Sequence, residues 1–119
     1  MKKSVFIIIL FSFLTGCYNH GVEFELKNES GNVIDSVEIS NGFTKIKMYD
    51  INKDITSSFL DFNGNDKKVS GDGSYTITIF SKGKYKTEGF GYYSNGVPSI
   101  DYYKVLIKKD TILVKEIID

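Results

Sequence analysis

The sequence predicts an all-β domain, a single small antiparallel β-sandwich of about seven to eight strands, with a small β-barrel as the alternative. Three observations carry this. Apolar and polar residues alternate with period two through most of the chain, as in Val22-Glu23-Phe24-Glu25-Leu26, a pattern that buries one face of a strand and wets the other. Turn residues recur about every ten positions, the spacing of strands in sandwiches and barrels. Strong helix formers are scarce: the chain has no Ala, Gln, Arg or Trp and is rich in Ile, Val, Thr, Tyr and Phe, which suit a pleated surface. Most of those residues also have A/T-rich codons, so pattern rather than composition carries the fold.

Each element has its own signal. Val22 to Asn28 alternates over seven positions and stops at Ser30-Gly31-Asn32. Val33 to Ser40 follows, with Val33, Val37 and Ile39 on one parity and Ile34 on the other. Asn41-Gly42 predicts a type I′ hairpin, whose two central residues both need positive φ. Phe43 to Tyr49 places Ile46 and Met48 opposite Lys45 and Lys47. Asp50 to Thr56 is ambiguous, since Ile51 and Ile55 suit either one helical turn or a crossing loop. Ser57 to Phe62 reads as a strand ended by Asn63-Gly64-Asn65-Asp66, and Asp72-Gly73 as a further turn. Ser74 to Ser81 alternates Tyr75, Ile77 and Ile79 with Thr76, Thr78 and Phe80. Lys82-Gly83-Lys84 turns the chain into Tyr85–Tyr93, and Ser94-Asn95-Gly96-Val97-Pro98 makes the next connection. Ile100 to Lys108 and Thr111 to Ile118 close the chain as a hairpin across Lys109-Asp110.

The N-terminus obeys different rules. Met1-Lys2-Lys3 precedes the apolar run Val5 to Leu14, ten residues long, where a bilayer-spanning helix takes about 20. A charged start, a short apolar helix and small residues after it are the parts of a secretory signal. Leu14-Thr15-Gly16-Cys17 resembles the lipobox of a bacterial lipoprotein export signal at every position. The resemblance implies cleavage between Gly16 and Cys17, a diacylglyceryl group on the Cys17 thiol, and acylation of the new amine. It divides the chain into a signal peptide (1–16), a lipidated tether (17–21) and the β-sandwich domain (22–119). One acyl chain holds a protein only marginally, whereas two or three moor it to a membrane. Tyr18 stands where inner-membrane lipoproteins of many Gram-negative bacteria carry Asp, which implies the outer membrane. The expected localisation is the bacterial cell envelope, lipid-anchored.

Composition narrows the function classes. All fifteen acids and thirteen of the fifteen lysines follow residue 16, leaving the mature part near −2, without the clustered basic face of a nucleic-acid binder. Cys17 is the only cysteine, so no disulfide is available and the apolar core alone must hold the fold. His20, the only histidine, lies in the tether, where a general base has neither fixed partner nor shelter. No Ser-His-Asp or Cys-His set and no nitrogen- and sulfur-ligated zinc site can be assembled. Asp61 to Asp72 has the length of a calcium loop but lacks its sixth-position Gly and twelfth-position Glu, and reads as a polar hairpin. The expectation is a non-catalytic protein without metal or cofactor.

Phe90, Tyr92, Tyr93 and Asn95 form the candidate ligand-binding surface. Rings near a glycine-flanked loop tip offer flat apolar faces with polar edges to a glycan, peptide or protein, although alternate rings on a strand point into the core. Asn28-Glu29-Ser30 fits the N-glycosylation pattern. Asp35-Ser36-Val37 and Asp110-Thr111-Ile112 resemble the short O-glycosylation motif of some Gram-negative lineages. In overall form the chain resembles small Gram-negative lipoproteins with immunoglobulin-like folds, which implies a membrane-anchored binding or interaction module with an envelope protein or glycan as partner. Ser70-Gly71-Asp72-Gly73-Ser74-Tyr75 and Phe80-Ser81-Lys82-Gly83 are similar to segments of small lipoprotein inhibitors of lysozyme, which insert a Ser/Gly loop into the enzyme's cleft. The disulfide cysteines common in that family are missing here. A structural accessory subunit of an envelope complex, docking through a strand edge, is the further alternative.

Overall fold

Alternation decides the first strand. In β1 (Gly21–Glu29) Val22, Phe24 and Leu26 are buried while Glu23, Lys27 and Glu29 are exposed. Each buried apolar side chain contributes about 1.5–3 kcal/mol, and a one-residue slip would turn the carboxylates inward. The computed structural model describes residues 21–63 and 68–118. These form nine strands in two sheets, one of them curled into a half-barrel, and no helix occurs among the described residues. Residues 1–20, where the signal peptide and tether are expected, residues 64–67 and residue 119 lie outside them.

The remaining strands are β2 (Ile34–Ser40), β3 (Lys45–Ile51), β4 (Ile55–Asp61), β5 (Gly73–Ser81), β6 (Lys84–Ser94), β7 (Val97–Pro98), β8 (Tyr102–Lys108) and β9 (Ile112–Glu116). One sheet has the order β4-β1-β8-β9 and the other β3-β2-β5-β6-β7. Val37 and Ile39, Tyr75, Ile77 and Ile79, and Tyr103, Val105 and Ile107 join the β1 residues in one core. The segment Asn52–Asp54 is the crossing loop between sheets, not a helical turn: Ile51 ends β3 and Ile55 begins β4 in the other sheet. Val33 is exposed and precedes β2, while Ile34 is buried opposite Ile51.

The four-stranded sheet is not wholly antiparallel, contrary to the expectation from the sequence. β1 pairs antiparallel with β4 but parallel with β8, from Glu23↔Tyr102 to Glu29↔Lys108. The cause lies in the connection. β6 and β7 finish at the end of the domain where β1 starts, and Ser99–Asp101 brings β8 in beside that start, with the Glu23 amide donating to the Asp101 carbonyl at 2.9 Å. The domain therefore has two distinct poles, one at Gly21 and one at Glu29.

Turn chemistry departs from expectation at Asn41-Gly42. Gly42 has φ +94°, but Asn41 is not left-handed, and Ser40 pairs with Lys45 around a four-residue loop. Asn41 is buried, its Oδ1 accepting from the Phe43 and Thr44 amides at 2.9 and 2.7 Å, so the side chain closes the turn. Paired positive φ values occur instead at Lys82-Gly83 (53°, 74°) and Asn95-Gly96 (52°, 71°), the tips of the β5–β6 and β6–β7 hairpins. At Asp72-Gly73 the bend belongs to Gly71 (φ 71°), and Gly73 opens β5.

β6 carries one extra residue against β5: Phe90 opposes Tyr75, yet Tyr93 opposes Gly73. Gly91, at φ +68°, absorbs this bulge, the conformation that glycine adopts without a steric penalty. A Cβ there would meet Tyr75 Cδ2 at 2.6 Å and Tyr103 Oη at 2.8 Å, whereas a Cβ on Gly42 meets nothing within 4 Å. Gly91→Ala is expected to lower stability by about 2–3 kcal/mol through strain plus overpacking, and Gly42→Ala by about 1 kcal/mol through strain alone. Urea midpoints at unchanged m-value read both.

Candidate binding surfaces

Cys17 and the cleavage motif Leu14, Thr15 and Gly16 lie outside the described residues, as does His20. The aromatic surface expected at Phe90, Tyr92, Tyr93 and Asn95 is divided by the bulge. Phe90 packs against the core, 5.8 Å from the Phe24 ring and 5.4 Å from that of Tyr75. Tyr93 is buried, and its hydroxyl donates to the Asn41 carbonyl at 2.7 Å. Those two rings serve the core, because the extra residue at Gly91 moves the inward parity from position 92 to position 93. Tyr92 stays half exposed, and Asn95 sits exposed at the turn, its amide donating to Asp72 Oδ1 at 3.0 Å.

Other sequence motifs take equally definite places. Asn28 of the glycosylation pattern is buried; its Nδ2 donates to the Asn32 and Ile51 carbonyls at 2.7 and 2.9 Å. Its Oδ1 accepts from the Ser30 amide and hydroxyl. That amide is a structural pin and has no freedom to carry a glycan. Ser36 lies within β2 between β3 and β5, while Thr111 is exposed in the β8–β9 turn. Asp61 Oδ1 accepts from the Asn63 amide, which makes it a turn residue, and Asp66 lies outside the described residues. The Ser70–Tyr75 and Phe80–Gly83 segments occupy opposite ends of β5, so a single cleft could receive only one of them.

Two concave features come from cross-strand pairing. On the outer face of the four-stranded sheet, Ile55, Leu106 and Leu113 floor a groove of about 580 Å³. Registers Lys27↔Ile55, Lys27↔Leu106 and Leu106↔Leu113 bring those residues into one row. Ion pairs Lys104–Glu25 (3.8 Å) and Lys27–Glu29 (3.4 Å) rim it, and Lys115 adds a further cation. At the Glu29 pole, where the sheets part, a cavity of about 150 Å³ is floored by Ile34, Ile79, Ile107 and Ile112 and bordered by Lys86, Lys108 and Lys109. Neither feature is a local motif. The nearest sequence signals were the alternation of Lys104, Leu106 and Lys108 and the Lys108-Lys109 pair, which read only as strand and turn.

The titratable groups that depart from their ordinary behaviour are tyrosines. Burial pushes Tyr75 far up, with Tyr103 and Tyr93 beside it adding to the shift. Burial also raises Tyr103, helped by Glu116, and Tyr93. Tyr102 is raised by desolvation and by its hydrogen bond to Glu25 Oε1, 3.2 Å long. Among the described residues no three His, Cys, Asp or Glu side chains are grouped to hold a metal ion. The arrangement offers apolar concavities edged by charge, suited to non-covalent binding. Comparison of the chain with protein-family models, curated proteins and solved structures finds no match.

Tyr93→Phe is expected to cost about 1–2 kcal/mol by stranding the Asn41 carbonyl, and Tyr92→Phe less than about 0.5 kcal/mol; urea unfolding separates the two. Alkali should also unfold the domain. A phenol whose folded pKa is raised binds its proton in the native state after the unfolded chain has begun to lose it, near pH 10. Stability is therefore intact below about pH 10 and falls above it. In a titration followed at 295 nm, part of the tyrosinate signal should arrive together with loss of the far-ultraviolet β signal.

Proposed function

We propose that this chain is a lipid-anchored protein of the bacterial cell envelope whose β-domain is a non-catalytic binding module. The observation that carries the reading is the complete lipobox at Leu14 to Cys17, followed after only three residues by the core strand β1. The four residue steps from Cys17 to Gly21 extend at most about 14 Å, so acyl chains on Cys17 would keep the Gly21 pole close to the bilayer. β1 then runs about 26 Å to the Glu29 pole, the end of the strand farther from the proposed anchor. Tyr92 and Asn95 belong to the Gly21 pole, whereas the isoleucine-floored cavity belongs to the Glu29 pole. Tyr18 after the lipidated cysteine favours the outer membrane of a Gram-negative bacterium. The resemblance to immunoglobulin-like lipoproteins enters as architecture, two packed sheets around one core.

A second reading, an accessory subunit of an envelope complex, is favoured by β9. Its outer edge has no strand partner among the described residues, and Leu113 on it is half exposed. An unpaired edge of this kind accepts a partner's strand.

Fractionation tests the anchor. Wild-type protein is expected in the membrane pellet, with a doubly or triply acylated Cys17 at the N-terminus by mass spectrometry. Cys17→Ser should leave uncleaved or unacylated protein. An unmodified Cys17 thiol, or residues 1–16 still attached in the wild type, would overturn the reading.

A further inference from the structure

The Glu29 pole combines two features that rarely coincide by accident on a small sandwich, an opening onto the apolar core and an excess of cations around it. Ile34, Ile79, Ile107 and Ile112 are all less than a tenth exposed, yet they floor a cavity that reaches solvent. Buried aliphatic surface at an opening gains by covering any apolar body that fits it. The volume, about 150 Å³, is small beside the roughly 300–1,000 Å³ of sites for drug-sized ligands, so the body must be short.

The rim is basic. Lys86, Lys108 and Lys109 border the cavity and no carboxylate lines it. Lys86 is engaged: its Nζ donates to the Asp110 carbonyl at 3.1 Å and lies 3.7 Å from Glu88 Oε1. Lys108 and Lys109 form no ion pair among the described residues. Glu29, the strand partner of Lys108, is paired with Lys27 at 3.4 Å. Asp35 lies at the same pole, where its Oδ2 accepts from the Lys82 amide at 3.2 Å. The polar groups between the lysines, Ser30 and Asn32, are tied into the Asn28 turn. The Asp35 and Asp110 carboxylates stand outside the lining, so the charged groups that border the cavity itself are cationic, and the complementary ligand is an anion.

We propose that this cavity binds a small organic anion, a short aliphatic carboxylate whose hydrocarbon body lies on the four isoleucines and whose carboxylate meets Lys108 and Lys109. The inference rests on the reading of the domain as a binding module and is independent of the lipid anchor. Both parts of the ligand are required, because a bare anion leaves the isoleucines uncovered and a neutral aliphatic leaves the lysines without a partner. About six non-hydrogen atoms fill the space, and ligands of that size bind at roughly millimolar concentration. Affinity should fall as salt rises, since the lysines are exposed.

The test is a titration of the full chain, ¹³C-labelled at isoleucine methyls and held in detergent, with sodium butyrate, butyramide and sodium acetate. Butyrate should shift the methyls of Ile34, Ile79, Ile107 and Ile112 saturably, with butyramide and acetate each at least fivefold weaker. The Lys108→Gln/Lys109→Gln variant, altered only at exposed side chains, should keep the wild-type spectrum and bind butyrate at least fivefold more weakly. Absence of a saturable butyrate shift at those four methyls, equal binding of butyramide, or unchanged affinity in the double variant would each overturn the proposal. Membrane fractionation reads the anchor separately, so a failure here is distinguishable from a failure there.

Discussion

The fold depends on six aromatic rings that lock the two sheets together near the Gly21 pole. Phe24 and Tyr103 come from one sheet, Tyr75, Phe90 and Tyr93 from the other, and Phe62 from the loop after β4. Phe24 stacks on Tyr103 at 5.5 Å with 11° between planes, while its edge meets Tyr75 and Phe90 at 5.8 Å. Phe62 closes the group against Tyr93 at 5.4 Å. Such pairs contribute about 0.5–1.5 kcal/mol each beyond the area they bury. In a domain of this size without disulfides, that contribution is a large part of the net stability. The cluster has a cost as well: Tyr75 and Tyr103 hydroxyls are buried without a hydrogen-bond partner among the described residues, at about 1–3 kcal/mol apiece. Only the absent side chain of Gly91 leaves room for both rings.

Because the rings fill one end, the other end is finished differently. At the Glu29 pole the core is aliphatic, and the sheets are joined by Asn28 reaching across to the Ile51 carbonyl rather than by packed aromatics. Aliphatic side chains leave a cavity at this end, bordered by Lys86 of β6, Lys108 at the end of β8 and Lys109 in the turn after it. The polarity of the domain, aromatic and sealed at one pole, aliphatic and open at the other, follows from where the large residues fall along four strands.

Much of this was legible in the sequence, and the limits have physical causes. Period-two alternation located eight strands to within about two residues, because burial of one face is a local property. It could not choose partners. The pairing of Glu23 with Tyr102 depends on which pole β7 ends at, and no window of sequence contains that. Asn41-Gly42 carried the chemistry of a two-residue turn, but a carboxamide buried under Tyr93 found better hydrogen bonds in a wider loop. Phe90, Tyr92 and Tyr93 were legible as rings on a strand near glycines, and their sides were not. One left-handed glycine between Phe90 and Tyr92 reverses the parity, and glycine at that position is equally compatible with a regular strand. The two concave features were beyond reach, since residues from four strands or more line each.

The parallel register of β1 and β8 sets an order on events in the life of the chain. The first of the nine described strands pairs in parallel with the eighth, across a sequence separation that contains the whole of the second sheet. Contacts of such long range make folding slow, and until β8 is available β1 exposes an apolar edge on one side. The four-stranded sheet is therefore complete only once β8 and β9 have joined β1 and β4.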